Sequence, residues 1–308
     1  MITEPMDILK FFPIRKSKKQ KQAFRDAVIP YAEGLGYKVT VEKGSMGAQN
    51  IIIGNPDTAK YLVTAHYDTP ASIGLPNFIT PCNFPVFLIY QILVVGVFFL
   101  AAFVAGLLVS FFTDDSLVIF WAAYIAYFGL LFLMMFGPAN RNNANDNTSG
   151  VITLLQIAAS IPQDKRDHVC FVLFDLEEAG LIGSAAYRKA HKAATDKQII
   201  LNLDCVGDGD EIVLFPTSKL RKDASKLNLL EHLVTSGDKK QLRLHRKGFA
   251  YCPSDHGNFP YGVGIMAFHR MKGIGIYCDR IHTWRDTILE EENVLFLRDA
   301  LLRFITEN

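Results

Sequence analysis

The sequence is as informative in what it lacks as in what it has. No sign of charge dominates: its 308 residues carry a formal net charge of +1. A chain without a basic footprint has nothing with which to displace counterions, so nucleic acid is not an expected partner. No cysteine pattern exists either. Cys82, Cys170, Cys205, Cys252 and Cys278 stand singly, with no C-x-x-C pair, which reads as reduced thiols and not as a disulfide framework. Cys170 and Cys205 lie in or beside apolar strand-like runs and read as small core residues, and no cysteine is assigned to metal. Residues 1 to 20 lack the apolar stretch of a secretory signal. The sharpest scarcity is local: no Asp, Glu, Lys, Arg or His occurs between Asp68 and Asp114, nor between Asp115 and Arg141.

Those gaps hold the excess apolarity behind a hydrophobic content of 50% and a mean hydropathy of +0.17. Two runs, Phe84 to Phe112 and Leu117 to Phe136, are dense in Phe, Leu, Val, Ile and Ala. A bilayer core about 30 Å thick needs about 20 apolar residues at helical rise, and both runs reach that length. Ordinary strands are far shorter; the alternative is a pair of helices buried in a soluble core. The turn between the runs, Thr113-Asp114-Asp115-Ser116, is too short for anything but a helical hairpin whose ends return to one side. Arg15, Lys16, Lys18, Lys19, Lys21 and Arg141 flank the hairpin, and its tip carries no cation. The positive-inside rule therefore predicts a membrane protein with two spans and a cytoplasmic globular part. The basic cluster at 15 to 21 itself reads as the solvated first turn of a helix, or as a contact for anionic lipid headgroups.

Residues 1–82 and 140–308 carry the alternating grammar of one α/β domain, with 83–139 as the inserted transmembrane hairpin. The pattern predicts a helix over 17–34, strands at 37–41, 50–53 and 61–65, and a helix over 150–161 stopped by Pro162. It continues with a buried strand at 169–174, a helix over 183–194, strands at 199–203 and 211–215, and a helix over 219–236. Strands near 265–268 and 275–277 and a helix over 290–306 complete it. Helices alternating with buried strands imply a mostly parallel, mixed central sheet covered on both faces, a three-layer αβα fold.

Chemistry-bearing side chains fall at the carboxyl ends of these strands, where open α/β sheets assemble sites. His66 and Asp68 follow one strand, Glu177 and Glu178 another, and Asp204 a third; Asp146 precedes a helix, and His282 follows the late strand. Each has an ordinary explanation alone. Asp146 reads as an N-cap, Asp204 as the start of a turn with Gly207 and Asp208, and the paired glutamates as a solvated helix start. Clustered together, however, like charges repel unless protons or a cation neutralise them.

The segments Thr64-Ala65-His66-Tyr67-Asp68-Thr69, Ala144-Asn145-Asp146-Asn147-Thr148-Ser149-Gly150, Leu176-Glu177-Glu178-Ala179-Gly180-Leu181-Ile182-Gly183-Ser184 and Ile281-His282-Thr283-Trp284-Arg285-Asp286-Thr287 resemble, in order, the motif set of the di-zinc aminopeptidase family. That family includes bacterial leucyl-type aminopeptidases and is related to glutaminyl cyclases and glutamate carboxypeptidases. The resemblance implies a zinc-exopeptidase fold and two divalent ions, with zinc favoured by a nitrogen and oxygen donor set, which cobalt or manganese also tolerates. It gives Asp146 to both ions, His66 and Asp204 to one, and Glu178 and His282 to the other. Glu177 becomes the general base. Asp68 becomes the partner of the other ring nitrogen of His66. Ser254-Asp255-His256, with Tyr251 three residues before the serine, resembles a family segment that borders the substrate pocket, which implies a substrate contact for Tyr251.

The expected function is therefore a membrane-anchored, metal-dependent aminopeptidase hydrolysing N-terminal peptide bonds, with peptides as substrates and the lipid bilayer as a further partner. Glutaminyl cyclisation, typically run on one zinc, and a non-catalytic membrane receptor or scaffold are the alternatives; no ligand of the motif set is missing here.

Overall fold

The period of two in the apolar runs decides the architecture. Along the strand Val169–Phe174, the side chains of Val169, Phe171 and Leu173 enter one core and those of Cys170, Val172 and Phe174 another, so the strand is buried on both faces. The structure, a computed structural model, describes residues 2–72 and 74–308. Its strands are β1 (Val39–Lys43), β2 (Gln49–Ile53), β3 (Tyr61–His66), β4 (Val169–Phe174), β5 (Ile199–Leu203), β6 (Glu211–Pro216), β7 (Thr235–Ser236), β8 (Gln241–Leu244), β9 (Gly262–Met271) and β10 (Gly275–Tyr277). They form one sheet in the order β1-β2-β4-β3-β5-β9-β6-β8-β7, with β10 paired to β9. The central β4-β3-β5-β9 block is parallel, and the margins are mixed, with antiparallel pairs at β1–β2, β2–β4, β9–β6 and β8–β7.

The helices are α1 (Asp7–Phe11), α2 (Lys18–Gly34), α3 (Phe84–Ser110), α4 (Ser116–Phe136), α5 (Gly150–Ser160), α6 (Ile182–Ala190), α7 (Lys192–Thr195), α8 (Ser218–Lys222), α9 (Ala224–Leu230) and α10 (Glu291–Glu307). Helices α2, α5 and α10 cover one face of the sheet; Tyr187 of α6 and Phe259 close the other. Helix α2 starts where a capping box dictates, Ser17 accepting from the Gln20 amide while the Gln20 side chain accepts from the Ser17 amide. Its apolar positions Phe24, Ala27, Val28 and Ala32 recur at helical spacing and are buried.

Register brings the site together. His66 lies opposite Phe174 across β3–β4, and Thr64 opposite Asn202 across β3–β5, so three parallel strands end level with one another. The loops that follow them share one edge.

Four expectations need correction. The first strand begins at Val39 and not Tyr37, whose ring is buried and whose hydroxyl donates to the Ala158 carbonyl. The helix expected over 183–194 breaks at His191, which stacks on Tyr187 and pairs with Glu42 at 2.7 Å. The helix expected over 219–236 breaks at Asp223, which caps a new helix by accepting from the Lys226 amide. Its last residues form the edge strand β7, and β8 was not foreseen. Finally, the basic cluster is not simply a solvated turn. Lys18 and Lys19 are exposed, but Arg15 is wholly buried, and Lys21 is buried 2.6 Å from Asp175.

Helices α3 and α4 pack on each other and stand away from the sheet. No residue of α4 is buried, and α3 buries only Phe98, Ala102 and Gly106. Phe99, Leu100, Phe103, Ile125 and Phe132 are among the many large apolar side chains left exposed along them.

Candidate metal centre

His66 closes β3, and its ring is 99% buried. Its Nε2 lies 3.4 Å from Asp146 Oδ1 and 3.6 Å from Asp204 Oδ1. The other oxygen of Asp146 lies 3.0 Å from His282 Nε2, which is 3.8 Å from Glu178 Oε2. One carboxylate thus faces two imidazoles with different oxygens, each imidazole backed by a further carboxylate. Glu177 lies beside His66 and Asp204, near enough for the three to offer donor atoms to a single ion. His66, Asp146 and Glu178 make a second such group. Every metal-binding and base candidate named from the sequence therefore sits in one cluster.

The backbone around the cluster is held in unusual conformations. Leu176, Leu181, Cys205 and His282 all have φ between 55° and 60°, a region that non-glycine residues occupy only at a cost of about 1 kcal/mol or more. Leu176 and Leu181 bracket the glutamate turn, Cys205 follows Asp204, and His282 is itself a donor. Gly150 shows why the Asp146 turn needs its sequence: a Cβ there would sit 2.5 Å from the Leu203 carbonyl and 2.4 Å from Asn147 Oδ1.

Two buried carboxylates clamp these turns by their amides. Asp68 accepts from the amides of Glu177 (3.0 Å) and Glu178 (3.2 Å). Asp286 accepts from those of Asn145 (2.7 Å) and Asp146 (3.0 Å). This revises the expectation for Asp68. Its backbone carbonyl, at 3.2 Å, is the closer partner of His66 Nδ1, with the carboxylate at 3.7 Å. Between Asp68 and the Asp146 turn sits Arg15, which donates to the carbonyls of Phe12 and Tyr67 and to the Thr148 hydroxyl. Burial draws its guanidinium down to about 10 against the pull of Asp68 and Asp146.

Burial and mutual repulsion press on the charged forms of these clustered groups. Burial pushes Glu178 up to about 8 despite the nearby charge of His282, and burial also drives Glu177 well above the usual carboxylate range against the opposing charge of His66. Burial opposes the protonated form of His282, but Glu178 and Asp146 lift it to about 9. Burial likewise lifts Asp255 to about 7. Asp146 behaves oppositely: burial is outweighed by His282 and then His66, and its carboxyl is held well below the ordinary value.

These residues fit divalent cations. The donors are nitrogen and oxygen, they converge from separate loops, and Glu178 Oε1 is buried with no hydrogen-bond partner among the described residues. Cys205 also approaches, its thiol 3.0 Å from Asp204 Oδ1, but burial raises it far above neutrality, so it reaches the carboxylate as a donor.

A cavity of about 550 Å³ opens from the cluster. Tyr251 is half-exposed at its margin, with its ring 5.0 Å from that of Phe87 in α3. Arg15 was not foreseen as a site residue, nor were the roles of Asp286 and Asp255. Asp286 and Asp255 lie inside segments that resemble the family's, whereas Arg15 lies in a run of cations that looks like a surface.

A sequence model of peptidase family M28 matches residues 130–295, more than half of the chain. No curated protein sequence matches it. Among solved structures, the glutaminyl cyclase of Porphyromonas gingivalis superposes with a TM-score of 0.62 at 17% identity, over 99% of this chain and 96% of that one. A leucine aminopeptidase precursor from Bacteroides thetaiotaomicron gives 0.59 at 16%, over 99% and 94%. The LapA aminopeptidase of Legionella pneumophila gives 0.56 at 13%, over 98% and 67%. At these identities the likeness is one of fold.

Proposed function

Because the chain belongs to peptidase family M28, and is thus a metal-dependent peptidase in its fold and family, we propose that it is a membrane-anchored aminopeptidase with a two-ion site. The observation that carries the reading is Asp146, whose two oxygens address His66 and His282 separately. Asp146 would bridge the ions, His66 and Asp204 would complete one and Glu178 and His282 the other, with zinc the metal that this donor set suits. Bound there, the ions would supply a water of lowered pKa and would neutralise charge on the substrate's carbonyl oxygen.

The rest is done by side chains. Glu177 takes the proton of the attacking water on its carboxylate and delivers it to the departing amine. Asp68 fixes both glutamates through their amides, so that neighbours in sequence keep different roles, and Asp286 does the same for Asp146. Tyr251, on the cavity margin, would meet the substrate. Residues 83–139 form an inserted hairpin in a single domain. The exposed apolar surface of α3 and α4 supports a membrane position over a core one, since buried helices do not show such a surface to water. Lys16, whose ammonium reaches the Met135 carbonyl at 3.0 Å, places a cation at the base of the hairpin, as a cytoplasmic catalytic part requires.

The test is metal counting by mass spectrometry, together with hydrolysis of chromogenic aminoacyl substrates and a Glu177→Gln control. Two ions per chain and activity abolished by the substitution are expected. One ion per chain would favour glutaminyl cyclisation, the reading to which the Porphyromonas neighbour lends its fold. Metal-replete protein inert on all peptides would end the peptidase reading.

A further inference from the structure

We propose that the substrates of this site are peptides bearing an apolar segment, which reach the catalytic groups sideways from the membrane interface along α3. The inference rests on the peptidase reading above and adds the substrate class.

The cavity that begins at the metal cluster does not end in the globular part. Its far wall is made by Phe87, Tyr90, Gln91 and Val94 of α3 and by Met134 and Met135 of α4. The α3 positions follow the spacing of one helix face. They climb about 10 Å along that helix, enough to cross the headgroup layer and reach the acyl boundary. Gln91 carries the one amide in the helix Phe84–Ser110, and it lines the cavity. A polar side chain in a span belongs on a wetted, functional face. The rest of the wall is apolar and flexible, with two methionines that adapt to varied apolar side chains. Such a wall gives a polar chain no compensation for lost water, whereas it rewards an apolar one.

The wall is also fixed relative to the chemistry. Tyr90 donates to the Pro76 carbonyl at 2.9 Å. Asn83 donates to the Ile274 carbonyl at 2.8 Å. Asn77 donates to the carbonyl of Ile281, next to His282, at 2.9 Å. The segment leading into α3 is thus hydrogen-bonded to the segment bearing His282 through Asn77 and to the β9–β10 turn through Asn83.

The experiment uses full-length, metal-loaded protein in phosphatidylcholine vesicles and two peptides that share an N-terminal Leu-Ala. One continues with an alanine and leucine segment that partitions into the bilayer, the other with glycine, serine and asparagine. The expected ratio of kcat/KM favours the apolar peptide by about tenfold, the equivalent of burying about two further methylene groups. Val94→Asn and Met134→Asn should pull that ratio towards one, and Phe87→Ala should do the same without adding polarity. Leu93→Ala, on the exposed side of α3, should leave it unchanged. Metal content and melting temperature establish that each variant is folded. A wild-type ratio at or below one, or a preference that survives all three cavity substitutions, overturns the proposal. Inactivity on both peptides overturns the peptidase reading instead, and this inference with it.

Discussion

The metal-free and metal-loaded proteins should respond to pH with opposite signs. Without metal, Glu178 titrates at about 8 and His282 at about 9 in the folded chain; unfolded, they return to about 4.3 and 6.5. Near pH 7.5 the folded chain therefore binds protons that the unfolded chain has released, and stability falls as pH rises. Each proton held only by the folded state is worth about 1.4 kcal/mol per pH unit. Part of one on Glu178 and most of one on His282 give a slope of roughly 2 kcal/mol per unit. The groups are well covered, their side chains 11% and 26% exposed, so solvent screening leaves most of this intact. Glu177, raised by burial, steepens the slope. Asp146 and Asp204 are held low; their contribution is lost only on acidification and does not enter this window.

Metal reverses the direction. Ions displace the protons, so binding releases them and tightens as pH rises. Thermal melts of chelator-treated protein in detergent, from pH 6 to 8.5, should fall by roughly 4 °C per pH unit near pH 7.5. Protein reloaded with two equivalents of zinc should hold level or rise over the same range. Parallel slopes in the two forms, or a metal-free melt that climbs with pH, would refute the view that this cluster of carboxylates and imidazoles is the ion site.

Other substitutions test single contacts. Asp68→Asn leaves only one good acceptor for the amides of Glu177 and Glu178; metal affinity measured by chelator competition should weaken about 10- to 100-fold. Asp286→Asn should act similarly on the Asp146 side. Lys21→Met strands the buried carboxylate of Asp175 and should cost about 3–5 kcal/mol in denaturant unfolding. Gly150→Ala pushes a methyl into the Leu203 carbonyl and Asn147, and should lower metal content more than secondary structure by circular dichroism.

How much was legible in the sequence depended on whether a residue's role was local. β4 and β5 could be read to the residue, because Val169–Phe174 and Ile199–Leu203 are short apolar runs buried on both faces. β8 was missed because Gln241–Leu244 sits near the sheet margin, where Gln241 and Arg243 need no core. The metal-site candidates were visible as residue types at strand ends. Of their clamps, Asp68 was named for a contact with His66 and not for the amides it grips. Asp286 lay inside a family-like segment, but nothing in the sequence shows that it grips two backbone amides. Arg15 illustrates the limit best: among neighbouring cations it looks solvated, yet it is buried against the Tyr67 carbonyl and the Thr148 hydroxyl, which only the tertiary fold brings close. Composition reveals that a charge exists, and only packing reveals what it faces.

The hairpin's insertion point makes the last prediction. Its neck is zipped, with Ala71 bridged to Ala139, the Ser72 amide donating to Pro138 (2.9 Å) and that of Asn140 to Pro70 (3.0 Å). Between neck and helix, residues 76–83 form a strap across the His282 side of the site. Ile79 pairs with Cys278, Asn77 holds the Ile281 carbonyl, and the Tyr251 amide donates to Pro81. Two deletions separate the helices from the strap. Replacing 84–136 with a flexible glycine and serine linker removes only the helices; loop closure changes slowly with length, by about 0.6 kcal/mol per doubling. That variant should be soluble without detergent and keep two ions per chain, while losing any preference for apolar peptides. Replacing 73–137 with two glycines closes the same neck but takes the strap as well. The ion shared by Glu178 and His282 should then dissociate about 10- to 100-fold more readily. If both variants hold metal equally after dialysis, the strap does not support the site, and the hairpin is an anchor alone.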